Sequence, residues 1–139
     1  MAIKYPLLLI PDSDGYLVKF PDIPEAITFG SNRDEALEMA KDALITALEF
    51  YFEDLREVPR PSSVSATDDF VELPASISVK VQLLNEMVNQ RVKQIDLAKR
   101  MHISPTQVNR MVNLRQATKI DTLNEAFKAL GKQLEFVVA

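Results

Sequence analysis

The sequence predicts an α+β protein with two modules, an N-terminal βββαβ module and a C-terminal all-α module that ends in a short strand. Three observations lead to this prediction. Strand-like segments separated by turn residues occupy the first 30 residues and recur near residue 70, whereas helical periodicity dominates after Pro74. Residues 1–70 carry 6 basic and 14 acidic side chains, but residues 71–139 carry 10 basic and 6 acidic ones. A length of 139 residues allows one medium domain or two small ones. We therefore predict domains at residues 1–74 and 75–139.

The first module begins with a predicted β-hairpin. The apolar run Ile3–Ile10 is followed by the turn residues Pro11–Gly15 and by a second strand, Tyr16–Phe20. The segment Ala26–Gly30 is the third predicted strand. Phe70–Leu73 returns as the fourth, after a polar loop rich in proline and serine.

One long helix lies between the third and fourth strands. Ser31 or Asn32 is its predicted N-cap, because acidic residues follow in capping-box spacing. Apolar residues then recur every three or four positions, which predicts one buried stripe formed by Leu37, Ala40, Leu44, Leu48 and Tyr51.

Helical periodicity governs the second module. We predict a helix with the stripe Ile77, Val81, Leu84 and Val88, and then helices at Lys93–Met101, Ser104–Asn113 and Asp121–Leu130. Thr118 is the predicted cap of the last helix and Gly131 its C-terminal stop. Leu134, Phe136 and Val138 alternate with neighbours as in a strand. A lone strand needs a partner, so we expect it to pair with the other module or with a second copy, which predicts a dimer or larger assembly.

Composition excludes several classes of function. The chain has no Cys and a single His, His102, which excludes disulfide scaffolds, thiolate metal sites, cysteine nucleophiles and histidine-rich metal clusters. No apolar run approaches the roughly 20 residues of a membrane span, and the N-terminus has no signal-peptide layout. We expect a cytoplasmic protein without a metal, a cofactor or a membrane partner.

Residues 94–111 have the pattern of a helix-turn-helix. Apolar residues and the small Ala98 stand where two short helices would touch, and a tight turn is predicted at residues 101–103. Ser104 is the predicted cap of the second helix, with Pro105 in its first turn and Gln107 completing a capping box.

The outward residues of this second helix suit DNA. Amide side chains match adenine bidentately, and Arg matches the O6 and N7 atoms of guanine. Basic residues nearby, Lys93, Lys99 and Arg100 among them, would contact phosphates, which orient a domain without reading sequence. The alternative is a helical bundle with an ordinary solvated surface. The predicted DNA-binding residues are Gln94, Ser104, Thr106, Gln107, Asn109, Arg110, Arg115 and Lys119.

Over about residues 76–130 the chain resembles the XRE/Cro-type helix-turn-helix domain of transcriptional repressors. The resemblance rests on Gln94, Leu97-Ala98, Ile103-Ser104, Val108 and Met111. One departure is His102, where that family usually has glycine in a left-handed turn. His tolerates this conformation better than most residues do, so we expect slight strain in an intact motif.

Little in the acidic module indicates catalysis. Asp12 and Asp14 could form a carboxylate pair for metal-assisted hydrolysis. Flanked by Pro11, Ser13 and Gly15, they are better interpreted as turn residues. A nuclease would need clustered carboxylates on adjacent strands, and the sequence does not place them there. We expect no enzymatic activity.

The order of features along the whole chain resembles the HicB antitoxins of bacterial HicA–HicB toxin–antitoxin systems. The resemblance rests on Tyr16-Leu-Val-Lys-Phe20-Pro-Asp-Ile-Pro24, Glu35-Ala36, Ala40-Lys-Asp-Ala43 and Pro59-Arg-Pro61-Ser62, joined to the helix-turn-helix. It implies a partial ribonuclease-H-like N-terminal domain without nuclease activity. It also implies that this domain covers a small, basic, RNA-cleaving HicA toxin, and that the C-terminal domain represses its own operon by binding operator DNA.

The charge asymmetry agrees with two kinds of partner, since the acidic half can attract a cationic protein while the basic half faces DNA. For the toxin contact we predict the acidic and aromatic rim Asp22, Glu25, Tyr51 and Glu53. The alternative function is a small-molecule-responsive repressor with an N-terminal sensor domain.

Overall fold

A computed structural model describes residues 2–139 and confirms the α+β class. Contacts divide the chain into two compact units. The first, the sheet unit, comprises Ala2–Phe50 and Pro59–Leu73, and the second, the helical unit, comprises Tyr51–Val58 and Pro74–Ala139. The segment Tyr51–Val58 thus belongs to the helical unit although it lies within the first half of the chain.

The sheet unit contains one four-stranded antiparallel sheet with strand order β3-β2-β1-β4. The strands are β1 Lys4–Asp12, β2 Gly15–Lys19, β3 Ile27–Gly30 and β4 Asp69–Glu72. The C-terminal half of β1 forms the predicted hairpin with β2, and its N-terminal half pairs with β4. The predicted βββαβ order is confirmed.

Helix α1, Arg33–Asp54, begins after Asn32, whose side-chain oxygen accepts a hydrogen bond from the Glu35 amide at 2.9 Å. Asn32 rather than Ser31 is therefore the cap. Its buried stripe includes Ala40, Leu44, Leu48 and Tyr51 as predicted, whereas Ala36 is fully buried and Leu37 only partly. Ala36 packs against Gly30 so closely that a Cβ on that glycine would lie 2.3 Å from the Ala36 nitrogen.

The helical unit contains α2 Ala75–Gln90, α3 Gln94–Met101, α4 Pro105–Val112 and α5 Ile120–Ala129. Their buried apolar side chains form its core, which includes Leu83, Met87, Leu97, Val108 and Leu123. Asn85 joins the Tyr51–Val58 segment to α2, since its side chain accepts from the Val58 amide at 2.8 Å and donates to the Val58 carbonyl at 3.2 Å.

The two ends of α5 differ in how well the sequence predicted them. Gly131 follows the end of α5 as predicted. It has φ 73°, and its amide donates to the Lys128 carbonyl at 2.9 Å. The predicted Thr118 cap is wrong. The Thr118 hydroxyl donates to the Met111 carbonyl at 3.2 Å, and Lys119 is the N-cap without a side-chain bond. The prediction failed because the Thr118 hydroxyl bonds to the end of α4, a contact that the local spacing around α5 does not reveal.

The predicted terminal strand is also wrong for the single chain. Leu134, Phe136 and Val138 lie after α5 in a segment with no strand pairing, and Phe136 and Val138 are exposed. The Leu134 amide donates to the Asn124 side chain at 3.1 Å, which holds the segment's start against α5. A strand exists only with a hydrogen-bonded neighbour, and within residues 2–139 these residues find none.

None of the helices described in residues 2–139 is both long and apolar enough to cross a bilayer. In the same part of the chain, no three His, Asp or Glu side chains lie where they could together hold a metal ion.

Candidate functional site

Helices α3 and α4 are joined by a three-residue turn, residues 102–104. His102 has φ 57° and ψ 41°, the left-handed conformation predicted for it. The following Ile103 amide donates to the Ala98 carbonyl at 3.1 Å, which closes the end of α3. Under the two helices Leu97, Ala98 and Val108 are buried, as the spacing of apolar residues predicted.

The N-terminus of α4 is held by the predicted capping box. The Ser104 hydroxyl accepts from the Gln107 amide at 3.1 Å, and the Gln107 side-chain oxygen accepts from the Ser104 amide at 2.8 Å. Pro105 occupies the first turn, where its missing N–H costs nothing. This end of the helix is therefore rigid, but the Gln107 oxygen is already occupied. Gln107 retains only its NH2 group as a free donor, so it cannot read adenine bidentately while it caps the helix.

All eight predicted DNA-binding residues lie in the helical unit. Seven are exposed, namely Ser104, Thr106, Gln107, Asn109, Arg110, Arg115 and Lys119, and Gln94 is partly buried. The structure brings two of them together across the helices, since the Asn109 amide group donates to the Gln94 side-chain oxygen at 3.5 Å. This contact links the start of α3 to the outward face of α4.

A shallow groove of about 560 Å³ lies beside α4 and the start of α5. Gln107 and Arg110 line it from α4, and Gln116, Thr118 and Lys119 line it from the connection that follows. The groove thus extends from Gln107 in the capping box of α4 to Lys119, one of the predicted phosphate contacts. The Arg110 guanidinium and the Lys119 ammonium are the two cationic groups among its lining side chains, as suits an anionic ligand.

Lys80 on α2 is a residue of this site that the sequence interpretation missed. It is 1% exposed, and its ammonium donates to the carbonyls of Asn113 at 2.7 Å and Gln116 at 2.6 Å. Burial lowers the pKa of Lys80 below its usual value. The two bonds hold the turn that carries Arg115, which makes Lys80 a positioning residue. The available signal was a charged residue within the apolar stripe of α2, between Ile77 and Leu84.

The four residues predicted for a protein partner are divided between the units. Asp22 and Glu25 belong to the sheet unit, whereas Tyr51 and Glu53 belong to the helical unit. Tyr51 is 4% exposed, with the Arg56 guanidinium 4.1 Å from its ring centroid, so its ring is not part of an exposed rim. Asp22 is partly buried, and its carboxylate accepts from the Ser62 amide at 2.8 Å and hydroxyl at 2.6 Å. Asp22 therefore fixes a loop, and of the four predicted residues Glu25 and Glu53 are the exposed carboxylates.

Asp12 and Asp14 lie where β1 turns into β2. The Asp12 carboxylate accepts from the neighbouring Ser13 amide at 2.7 Å, which is how aspartate stabilises a turn. Both side chains are exposed.

The chain is similar in sequence to known antitoxins along nearly its whole length. A family model described as a HicB-like antitoxin of bacterial toxin–antitoxin systems matches residues 4–82. The chain is 50% identical over 135 residues to Antitoxin HicB 2 of Photorhabdus laumondii, covering 97% of this chain and 96% of that protein. It is 46% identical over 137 residues to Antitoxin HicB of Escherichia coli K12, covering 98% and 99% respectively. A more distant relative, Antitoxin HicB of Pseudomonas fluorescens, is 34% identical over 96% of this chain and 92% of that protein.

Proposed function

This chain belongs to the HicB-like antitoxin family of bacterial toxin–antitoxin systems, and from that premise we propose that it has two binding functions. It neutralises a small basic RNA-cleaving HicA-type toxin in the cytoplasm, and it represses its own operon by binding operator DNA. As a member of an antitoxin family it is not an enzyme.

The observation that carries the DNA-binding proposal is the exposed polar face at the rigid N-terminal end of α4. In this proposal α3 and α4 form an XRE/Cro-type helix-turn-helix, and α4 enters the major groove. Arg110 reads guanine and Asn109 reads adenine, each pairing worth about 1–3 kcal/mol of discrimination. Gln107 contributes a single donor through its NH2 group, because its oxygen remains in the capping box.

Phosphate contacts complete this interface. Arg115 and Lys119 follow α4 in the chain, and the carbonyls on both sides of Arg115 are held by Lys80. The helical unit carries 11 basic and 8 acidic side chains, so it is net positive while the whole chain is net negative. Basic side chains that neutralise phosphates release counterions, which makes binding dependent on salt.

The toxin-binding proposal rests on family membership and on charge. The sheet unit carries 12 acidic and 5 basic side chains, a net charge of −7. Such a surface accelerates encounter with a cationic protein and repels other acidic ones. We assign this unit to the partial ribonuclease-H-like class, in which it acts by covering the toxin.

Replacing Arg110 tests the DNA-reading surface. We expect Arg110→Ala to weaken operator binding by about 1–3 kcal/mol, roughly 5- to 150-fold, because the guanine contact is lost. Titration of a labelled operator fragment at fixed salt measures this effect. Gln107→Glu is the second variant, since it keeps the capping acceptor but replaces the free donor with a negative charge, so it weakens DNA binding without removing the cap.

Lys132→Ala is the matched control, because it removes one exposed positive charge outside the predicted interface. All three variants should neutralise the toxin as the unaltered chain does. Specific operator binding that survives both Arg110→Ala and Gln107→Glu would remove α4 as the recognition element.

Purification of the chain expressed from its own operon tests the toxin partner. We expect a stoichiometric small basic protein that arrests growth when it is expressed alone. A chain that purifies without such a protein, and whose operator affinity responds instead to a small molecule, would favour the ligand-responsive repressor.

A further inference from the structure

The two faces of the four-stranded sheet have different environments. One face carries buried side chains, among them Tyr5, Leu7, Val18 and Val71. Because side chains alternate along a strand, the neighbours of these residues point to the opposite face. That opposite face is apolar as well, which is unusual for a sheet face open to water.

Strand register arranges the apolar residues of this outward face in adjacent rows. Ile10, Leu17 and Phe29 lie opposite one another across β1, β2 and β3. Two residues along, Leu8 and Ile27 flank Lys19, and beyond them Phe70 of β4 pairs with Pro6 of β1. We call the six large side chains the outward sheet face: Leu8, Ile10, Leu17, Ile27, Phe29 and Phe70.

The members of the outward sheet face are accessible. Five of them, all except Leu17, are between 39% and 55% exposed. A contiguous apolar patch on a small soluble unit marks a surface that another molecule covers, since scattered apolar side chains would need no such explanation. A row of apolar side chains across three strands, including an aromatic ring, also has the composition found at the centre of protein interfaces.

Charges bound this patch without disrupting it. At one end Asp12 and Asp14 are exposed in the hairpin turn. At the other end the Lys4 ammonium lies 4.0 Å from the Glu72 carboxylate and 5.0 Å from the Phe70 ring centroid, so it is already paired. Lys19 is the basic side chain within the rows, and the aliphatic stem of a lysine can extend an apolar contact surface.

The charge of the unit selects the class of partner. A second copy of this unit would bring another −7 against it, and like charges across an interface oppose association. A cationic protein would instead be attracted by the unit as a whole and meet carboxylates at the hairpin end of the patch. We therefore propose that the outward sheet face is the docking surface for the basic toxin, an inference that rests on the proposed function.

The variant Ile27→Thr with Phe29→Thr tests this surface. Threonine is itself favoured in strands, so the substitutions keep strand propensity while removing most of the apolar contact. Phe70→Thr on β4 is a second variant on a different strand. Met39→Gln is the matched control, because Met39 on α1 is 42% exposed, close to the 40% of Phe29, and lies outside the sheet.

The measurement is the affinity of each purified full-length chain for the HicA-type toxin encoded with it. We expect the double variant to bind about 10- to 100-fold more weakly, as removal of central interface anchors does, and Met39→Gln to bind within twofold of the unaltered chain. Operator binding should stay unchanged in every variant, which reports that the helical unit is intact. An unchanged circular-dichroism spectrum and urea-unfolding transition report that the sheet unit, which carries the substitutions, remains folded.

Three results would count against the inference or its premise, and they are distinguishable. Toxin affinity equal in the double variant, Phe70→Thr and the control would remove the sheet face as the docking surface. A change of oligomeric mass in light scattering with unchanged toxin affinity would assign the face to self-association and overturn the inference. Failure of the unaltered chain to bind the toxin would overturn the proposed function, and the docking surface with it.

Discussion

Lys80 illustrates how one buried side chain can determine the geometry of a surface that it does not reach. Among residues 2–139 it is the single buried charged residue, and its ammonium is satisfied by two carbonyls of the turn after α4. A buried ammonium loses hydration, so it is tolerated only where such acceptors surround it. The same bonds hold in place the turn from which Arg115 extends.

Replacing Lys80 by an apolar residue of similar length should loosen this turn. We expect Lys80→Met to lower the free energy of unfolding by about 1–3 kcal/mol, because two carbonyls lose their donor. Urea unfolding measures that loss. The readout specific to positioning is the salt dependence of operator binding. The slope of the logarithm of the binding constant against the logarithm of salt concentration should become shallower by about one to two if Arg115 and Lys119 no longer reach phosphates.

Lys132→Met serves as the control for this experiment, since it removes an exposed ammonium at the C-terminal end of the same unit. An unchanged salt slope in Lys80→Met, with stability reduced, would limit Lys80 to a purely structural role.

At the scale of elements, the turn between α3 and α4 depends on a non-glycine residue in a left-handed conformation. His102 has φ 57°, where a Cβ is crowded by the following carbonyl. The family that this segment resembles usually has glycine there, so the His102 turn carries strain that glycine would relieve.

We expect His102→Gly to leave the helical unit as stable or to stabilise it by up to about 1 kcal/mol, because relief of strain exceeds the entropy that glycine loses on folding. His102→Val should destabilise it by about 1–2 kcal/mol, since a β-branched side chain is poorly accommodated at positive φ. Midpoints of urea unfolding compare the two variants. Equal midpoints would mean that residue 102 does not adopt the left-handed turn.

For the whole molecule, a formal charge of −4 describes neither unit. It is the sum of −7 on the sheet unit and +3 on the helical unit. One chain can therefore attract a cationic protein with one unit and an anionic polymer with the other. The helical unit includes Glu53, Asp54 and Glu57, which lie in the first half of the chain. Its net charge is therefore +3, whereas that of residues 71–139 is +4.

The C-terminal segment is where a second copy of the chain is expected to attach. Leu134, Phe136 and Val138 alternate with their neighbours as in a strand but have no strand partner within residues 2–139. Phe136, Val137 and Val138 are between 72% and 99% exposed. We expect truncation after Gly131 to lower the oligomeric mass in light scattering, since an intermolecular strand pairing would be lost. An unchanged mass would contradict this role, and an unchanged helical circular-dichroism signal shows that the truncated helical unit remains folded.

The sequence by itself determined the order of the β-strands and helices up to α5, the capping box at Ser104 and the stop at Gly131, whereas the left-handed turn at His102 was implied by the resemblance to the helix-turn-helix family. These features arise from interactions among residues a few positions apart, which spacing and residue type express directly. It also placed the exposed polar residues of α4, because the apolar residues of a short helix identify its buried face and leave the remaining positions outside.

Only the tertiary structure decided the features that depend on residues distant in the chain. The Thr118 hydroxyl bonds Met111 instead of capping α5, Tyr51 is buried beside Arg56, and Lys80 holds a turn more than 30 residues away. The outward sheet face likewise becomes one surface only when strand register brings Ile10, Leu17 and Phe29 into a row. Alternation along a strand predicts which residues share a face, but hydrogen-bonded pairing between strands decides which of them become neighbours.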